Sequence, residues 1–184
     1  PDRASIIPQT LRIASSPVAA DDLSLACKKR QGGVSFSAVR IGLLTDCYRP
    51  GVNGIVHFLA LHQRVLREWG HEPFVFTWGP PHPDDEPGVV RSWGAPFPRP
   101  GYHLGGRYSR RAEALLATMD VLHAQQPAMS GVLAARYGRR YGIPVVLTCH
   151  SRYDMLWATA LPLLSERQAV ALLRRPMRWI TERC

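Results

Sequence analysis

Apolar residues in this chain fall into short runs separated by polar, glycine- and proline-marked breaks, and the clearest series begins near residue 40. Ile41-Gly42-Leu43-Leu44-Thr45 is too short for a helix and reads as a fully buried strand. Across 55–69 the apolar residues return at 58, 61, 65 and 69, with 55, 59 and 66 beside them. That spacing predicts a helix packed over most of its girth. Gly70 supplies a left-handed stop, and Glu72-Pro73-Phe74-Val75-Phe76-Thr77 is a second run of strand-favouring residues. Strand, glycine-containing loop, helix and strand in that order make the first crossover of a parallel sheet.

The alternation continues along the chain. Val89-Val90 reads as a brief strand, 109–119 as a helix capped by Ser109, 120–124 as a strand and 127–141 as a helix stopped by Gly142. A strand over 144–149 follows, and then a helix from Ser165 toward 184, with a capping box Ser165-x-x-Gln168 and a kink at Pro176. Prolines and glycines between 79 and 108 predict a long irregular connection, a feature that compact domains keep chiefly for function. The fold class is therefore α/β, a doubly wound parallel sheet of Rossmann-like type over 39–184. Residues 1–38 show no period and read as a mobile basic leader.

Charge narrows the partners. Twenty-three Lys and Arg against 14 Asp and Glu leave a formal net charge of +9, which suits phosphate groups, an anionic membrane surface or nucleic acid. No nucleic-acid recognition motif accompanies the charge, so nucleic acid is disfavoured. A proteome rich in arginine accounts for the same figure. The four cysteines, at 27, 47, 149 and 184, show neither CxxC spacing nor a metal-site pairing with nearby histidines, so a reduced, cytoplasmic chain without a zinc site is expected. No apolar run approaches the ~20 residues of a membrane span. GxSxG, P-loop and HExxH signatures are absent from the sequence.

In a parallel sheet every strand's carboxyl end opens on one edge, so the loops after the strands share a crevice. The loop Tyr48-Arg49-Pro50-Gly51-Val52-Asn53-Gly54 leads into a helix N-terminus, where backbone N–H groups favour an anion. Gly51 and Gly54 allow close backbone approach, and Asn53 tolerates a positive φ. His123 with Gln125, and Cys149-His150-Ser151, reach the same edge. His150 is the candidate for acid–base work or for contact with a hydroxyl or phosphate, and His123 reads as a structural strand-end residue. Asp46 is expected to fix its loop by bonding nearby backbone N–H groups, and Asp154 to touch a ligand.

Arg40-Ile41-Gly42-Leu43-Leu44-Thr45-Asp46, Tyr48-Arg49-Pro50, Asn53-Gly54-Ile55-Val56, Trp69-Gly70-His71-Glu72, Asp120-Val121-Leu122-His123 and 141–150 together resemble glycosyltransferase family 4, a GT-B fold group, in the right order. The resemblance implies a retaining transferase that moves a sugar from a nucleotide-sugar donor to an acceptor hydroxyl without a metal or other cofactor. It implies that this chain is the first, acceptor-side half of the GT-B pair. Gly51 and Gly54 would lie at the donor phosphate and sugar, His150 would contact the transferring sugar, and Asn53 and Asp154 would support the acceptor pocket. In the family the carboxyl-terminal domain holds the nucleotide through a Glu-x7-Glu element that this sequence lacks, so the chain alone is expected to be inactive. Gln125-Gln126-Pro127 also departs from the family's usual His- or Ser-containing tripeptide. Arg99, Arg107, Arg110 and Arg111 around Tyr102, His103 and Tyr108, with Arg174, Arg175 and Arg178 near Trp179, suit a membrane interface. A lipid acceptor and peripheral contact with the inner face of an anionic membrane follow from that reading, and a saccharide acceptor and a solvated basic face remain beside it. The alternative is a non-catalytic Rossmann-like module that binds a phosphate-bearing ligand.

Overall fold

The computed structural model describes residues 37–96 and 101–150 and the single positions Gln168, Arg178 and Trp179. Residue contacts divide the chain into Pro1–Ser37 and Ala38–Cys184, and the description below concerns the second unit. The expected leader, Asp154 and the helix from Ser165 with its kink at Pro176 lie outside the described residues.

Five strands form one parallel sheet: β1 (Arg40–Leu44), β2 (Glu72–Trp78), β3 (Val89–Ser92), β6 (Val121–Ala124) and β7 (Val145–Leu147). Their spatial order is β3-β2-β1-β6-β7. The order reverses between β1 and β6, the switch point at which open α/β sheets leave a crevice beyond the strand ends. Among the described residues three helices connect the strands: α1 (Gly54–Glu68), α2 (Arg110–Leu116) and α3 (Met129–Tyr141). Gly70 and Gly142 take left-handed φ values of 82° and 68° at the ends of α1 and α3. Ser109 caps α2, accepting from Ala112 N at 3.2 Å.

Period-2 alternation sends successive strand residues to opposite faces. Leu44, Phe76, Trp78, Leu122 and Ala124 meet Ala112 and Leu116 of α2 and Leu133, Ala134 and Tyr137 of α3 in the larger core. Leu43 and Val75 meet Tyr48 and Leu59 of α1 in a smaller one. An aromatic stack crosses the larger core. Trp78 lies 5.1 Å from Tyr108 at 8°, Tyr108 lies 6.0 Å from Tyr137, and Tyr137 lies 6.1 Å from Tyr141 at 4°.

Two expectations change. The buried face of α1 is Val56, Leu59, Gln63 and Leu66, whereas Phe58, Leu61 and Trp69 are 37%, 50% and 59% exposed. The helix is thus packed on one side, and the 58/61/65/69 stripe is not its core face. The connection after β2 is also less irregular than its prolines suggest. It contains a short antiparallel pair, β4 (Ala95–Pro96) with β5 (His103–Leu104), and Tyr102 bridges to Cys47. Arg91 makes a bidentate pair with Asp85 at 2.7 and 2.8 Å, and its guanidinium also donates to Arg49 O at 2.6 Å. Arg49 in turn reaches Asp84 O and Glu86. Burial raises the Asp85 pKa, but hydrogen bonds from Arg91 and the His82 amide outweigh it and hold the carboxyl below its ordinary range. Packing of one ion pair beneath another orders this segment where backbone propensity alone would not.

Candidate active site: the crevice at the sheet switch point

Two polar clusters lie at the carboxyl ends of the central strands. The first sits between the loop after β1 and the start of α3. Asp46 Oδ1 accepts from Ser130 N at 2.6 Å, and Asp46 N donates to Gln126 Oε1 at 3.0 Å. Gln126 Nε2 and Asn53 Nδ2 converge on the buried Cys47 Sγ at 3.4 and 3.7 Å. The residue before α3, Ala128, offers no side-chain cap, so Asp46 performs that role from a strand end more than 80 positions away. The expected partner of Asp46 was its own loop; the bond instead ties β1 to α3. Burial lifts the Asp46 pKa from 3.8 to about 6, against the hydrogen bonds from Ser130 and Met129, and its Oδ2 is buried with no partner among the described residues.

The second cluster occupies the α1 face. Between Leu122 and Ala124, which point into the larger core, His123 must point the other way, and its ring lies 5.5 Å from His62 of α1. His123 Nε2 meets Thr148 Oγ1 at 2.7 Å, and His150 Nε2 meets Gln125 Oε1 at 2.9 Å. The His150 ring stands edge-on to Phe58 at 4.8 Å. Burial, followed by the neighbouring His62 and His150, pulls the His123 pKa down to about 4; burial also lowers His62 and His150. These imidazoles are neutral at neutral pH, so the cluster offers lone pairs and N–H groups and no formal charge.

At its N-terminus α1 begins with Asn53, whose Oδ1 accepts from Ile55 N and Val56 N at 3.0 Å each. The amide of Gly54 has no acceptor among the described residues. Gly54 has no positive φ, and a Cβ added there would meet nothing within 4 Å. Neither the backbone nor the packing therefore requires glycine at 54, and the space above it is open. Phe58, which touches His150, lies one turn further along the same helix. Gly54 accordingly stands one turn before the helix residue that touches His150.

The glycosyltransferase family 4 model matches residues 52–184. The chain belongs to glycosyltransferase family 4. Two relatives, each named alpha-monoglucosyldiacylglycerol synthase, are similar over part of this domain. That of Acholeplasma laidlawii is 30% identical over 124 residues, covering 63% of this chain and 31% of its own. That of Streptococcus pneumoniae (strain ATCC BAA-255 / R6) is 29% identical over 123 residues, covering 63% of this chain and 27% of its own. The chain thus spans about a third or less of the length of these relatives.

Within this family 4 domain the structure separates the residues singled out from sequence. His150 meets Phe58 of α1, one turn beyond Gly54. Gly51 is buried and donates its N–H to Tyr48 O at 3.0 Å, so that amide serves the loop itself. Asn53 adopts an extended φ of −154°, not a positive one, and is engaged at both ends, as cap of α1 and as donor to Cys47. His123 sits near the end of β6 with Thr148 as its partner. Sequence reasoning missed Phe58, His62, Ser130 and the pairing of Gln125 with His150. A signal was present in His123-x-Gln125 and Thr148-x-His150, since residues two apart in extended chain share a face. With Leu122 in register with Val145, the two pairs lie side by side, and each bond spans 25 positions.

Proposed function

We propose that this domain is the acceptor-side half of a retaining glycosyltransferase that moves a sugar, glucose in the first instance, from a nucleotide-sugar donor to the hydroxyl of a diacylglycerol-type lipid. The observation that carries the reading is the open position of Gly54 at the start of α1, the helix whose Phe58 touches His150, in a chain of this family. A helix N-terminus with a free N–H and no Cβ suits a donor diphosphate, and a neutral imidazole beside it suits a sugar hydroxyl. The names of the two relatives support glucose and the lipid. The acceptor pocket is assigned to a hollow of about 250 Å³ beside the loop, lined by Val52, His57 and His82 among others, and the family resemblance adds Asp154 as an acceptor contact.

Arg107, Arg110 and Arg111 are exposed near the start of α2, as are Arg136, Arg139 and Arg140 on α3. No helix among the described residues is long and apolar enough to cross a membrane. Peripheral contact between these cations and anionic lipid at the cytoplasmic face fits both observations, each nearby cation adding about 1 kcal/mol. The reaction proceeds without a metal in this reading, and this chain by itself, with donor contacts from one side only, turns over no substrate.

The test is Gly54→Ala in the complete enzyme. With open space at the Cβ position and no positive φ, the substitution leaves the melting temperature unchanged or slightly raised, since alanine is the better helix former by up to about 1 kcal/mol. Crowding of the diphosphate raises the KM for the nucleotide-sugar at least tenfold. An unchanged KM in a folded Gly54→Ala protein would overturn the assignment of the donor to this loop.

A further inference from the structure

We infer that Gln125 is a positioning residue that fixes the tautomer of His150, leaving Nδ1 as a hydrogen-bond acceptor and so selecting a ligand hydroxyl over a phosphate oxygen at that point. The inference deepens the reading of His150 as the contact to the transferred sugar and rests on it. Its basis is a chain of directional bonds. The Gln125 side chain is buried and donates through Nε2 to the backbone carbonyl of His123 at 3.4 Å. A carbonyl can only accept, so this bond sets which end of the amide is which. Gln125 Oε1 is thereby turned toward His150 Nε2, 2.9 Å away. An amide oxygen also can only accept, so Nε2 of His150 carries the hydrogen. In a neutral imidazole the other nitrogen then holds a lone pair and no proton.

Phe58 holds the ring plane from the helix side, with the two rings 4.8 Å apart and inclined at 60°. Burial favours the neutral form of His150, and the described residues that face it, Phe58 from α1 and Gln125 after β6, bring no charge. The titratable neighbours in the cluster are His62 and His123, both themselves held below the ordinary imidazole value. A neutral ring presenting Nδ1 accepts from a hydroxyl or an ammonium group and gives nothing to an anionic oxygen. The diphosphate is thus left to the amide of Gly54, and the imidazole reads the sugar.

Ring-nitrogen chemical shifts of this chain, labelled at histidine, test the assignment directly, with His150→Gln identifying the resonances. In the unaltered chain near neutral pH, His150 shows a protonated Nε2 and an unprotonated Nδ1. Gln125→Leu, which keeps the volume and removes the acceptor, gives a mixture of tautomers. Gln125→Glu restores the Nε2–H form and raises the titration midpoint of His150 by about one pH unit through the adjacent carboxylate. The glutamate variant keeps the shape of the side chain and serves where leucine unfolds the domain. In the complete enzyme, Gln125→Leu lowers kcat/KM about tenfold, the worth of one oriented hydrogen bond. Gln125→Glu shifts the acid limb of the pH profile upward and recovers activity above it. A His150 protonated on Nδ1, or a tautomer indifferent to Gln125, overturns the inference. His150→Ala with unchanged transfer overturns instead the reading beneath it, while the tautomer result stands on its own.

Discussion

The two faces of the sheet are built differently. On the α2/α3 face the strands offer Leu44, Phe76, Trp78, Leu122 and Ala124 to two helices, with 13 buried residues in one cluster. On the α1 face the buried cluster has four members, Leu43, Tyr48, Leu59 and Val75, and toward β6 and β7 apolar contact gives way to His62, His123, Gln125, Thr148 and His150. One face supplies most of the stability. The other gives up part of its core to hold polar groups at the crevice, a pattern expected where binding groups sit on a rigid scaffold.

Adjacent residues put that contrast to its severest test. Leu122→Ala, on the larger core, is expected to cost about 2–5 kcal/mol through lost burial and the cavity left behind. His123→Leu, one position on, should change stability little, because it removes a half-buried imidazole and keeps apolar volume. Urea unfolding of both variants measures the difference, and equal costs would show that the faces contribute alike.

The pH response separates the clusters next. Asp46 has a folded pKa near 6 against 3.8 in its ordinary state, so the folded chain holds that proton more tightly than the unfolded one. Its contribution is most favourable below about pH 4 and is lost as pH rises through about 6, a change on the order of 3 kcal/mol. His123, held near 4 from 6.5, has the opposite sign, and stability from it is lost as pH falls from about 6.5 to 4. His62 and His150 act in the same direction as His123. The slopes oppose one another in the native sequence. Asp46→Asn, which retains an oxygen for Ser130 N, removes one of them, so its stability should rise from pH 4.5 to 6.5 more steeply than that of the parent. Parallel curves would show that the Asp46 carboxyl is not held in its neutral form.

The smallest effect belongs to the outer stripe of α1. Leu61→Gln, at a position 50% exposed, should lie within about 0.5 kcal/mol of the parent in thermal unfolding. A larger loss would mean that this stripe is covered in solution.

Much of the fold was legible because parallel strands buried on both faces announce themselves as apolar runs, and because Gly70, Ser109 and Gly142 mark helix ends by local chemistry. The face of α1 was not. Its apolar residues are spread around the helix, and only the sheet beneath decides that Val56, Leu59, Gln63 and Leu66 are the inner ones. The β4/β5 pair escaped notice because proline lowers strand propensity, while the chain leading into β5 is tied down by partners far apart in sequence: Tyr48 N donates to Gly101 O, and Tyr102 bridges to Cys47. At the site, topology alone set both Gly54 and His150 beyond the carboxyl ends of parallel strands. The role of Asp46 depends on Ser130, and that of Gln125 on His150. Such pairings across strand ends are fixed by register, which no single stretch of sequence states.

The stacked rings of Trp78, Tyr108, Tyr137 and Tyr141 join β2 to α3 through the middle of the larger core, nearly parallel at two of the three steps. Aromatic chromophores held so close in a fixed, chiral order give the domain a built-in optical gauge. Its near-ultraviolet circular dichroism band will fade as soon as α3 lifts from the sheet, even while the far-ultraviolet signal still reports intact helices.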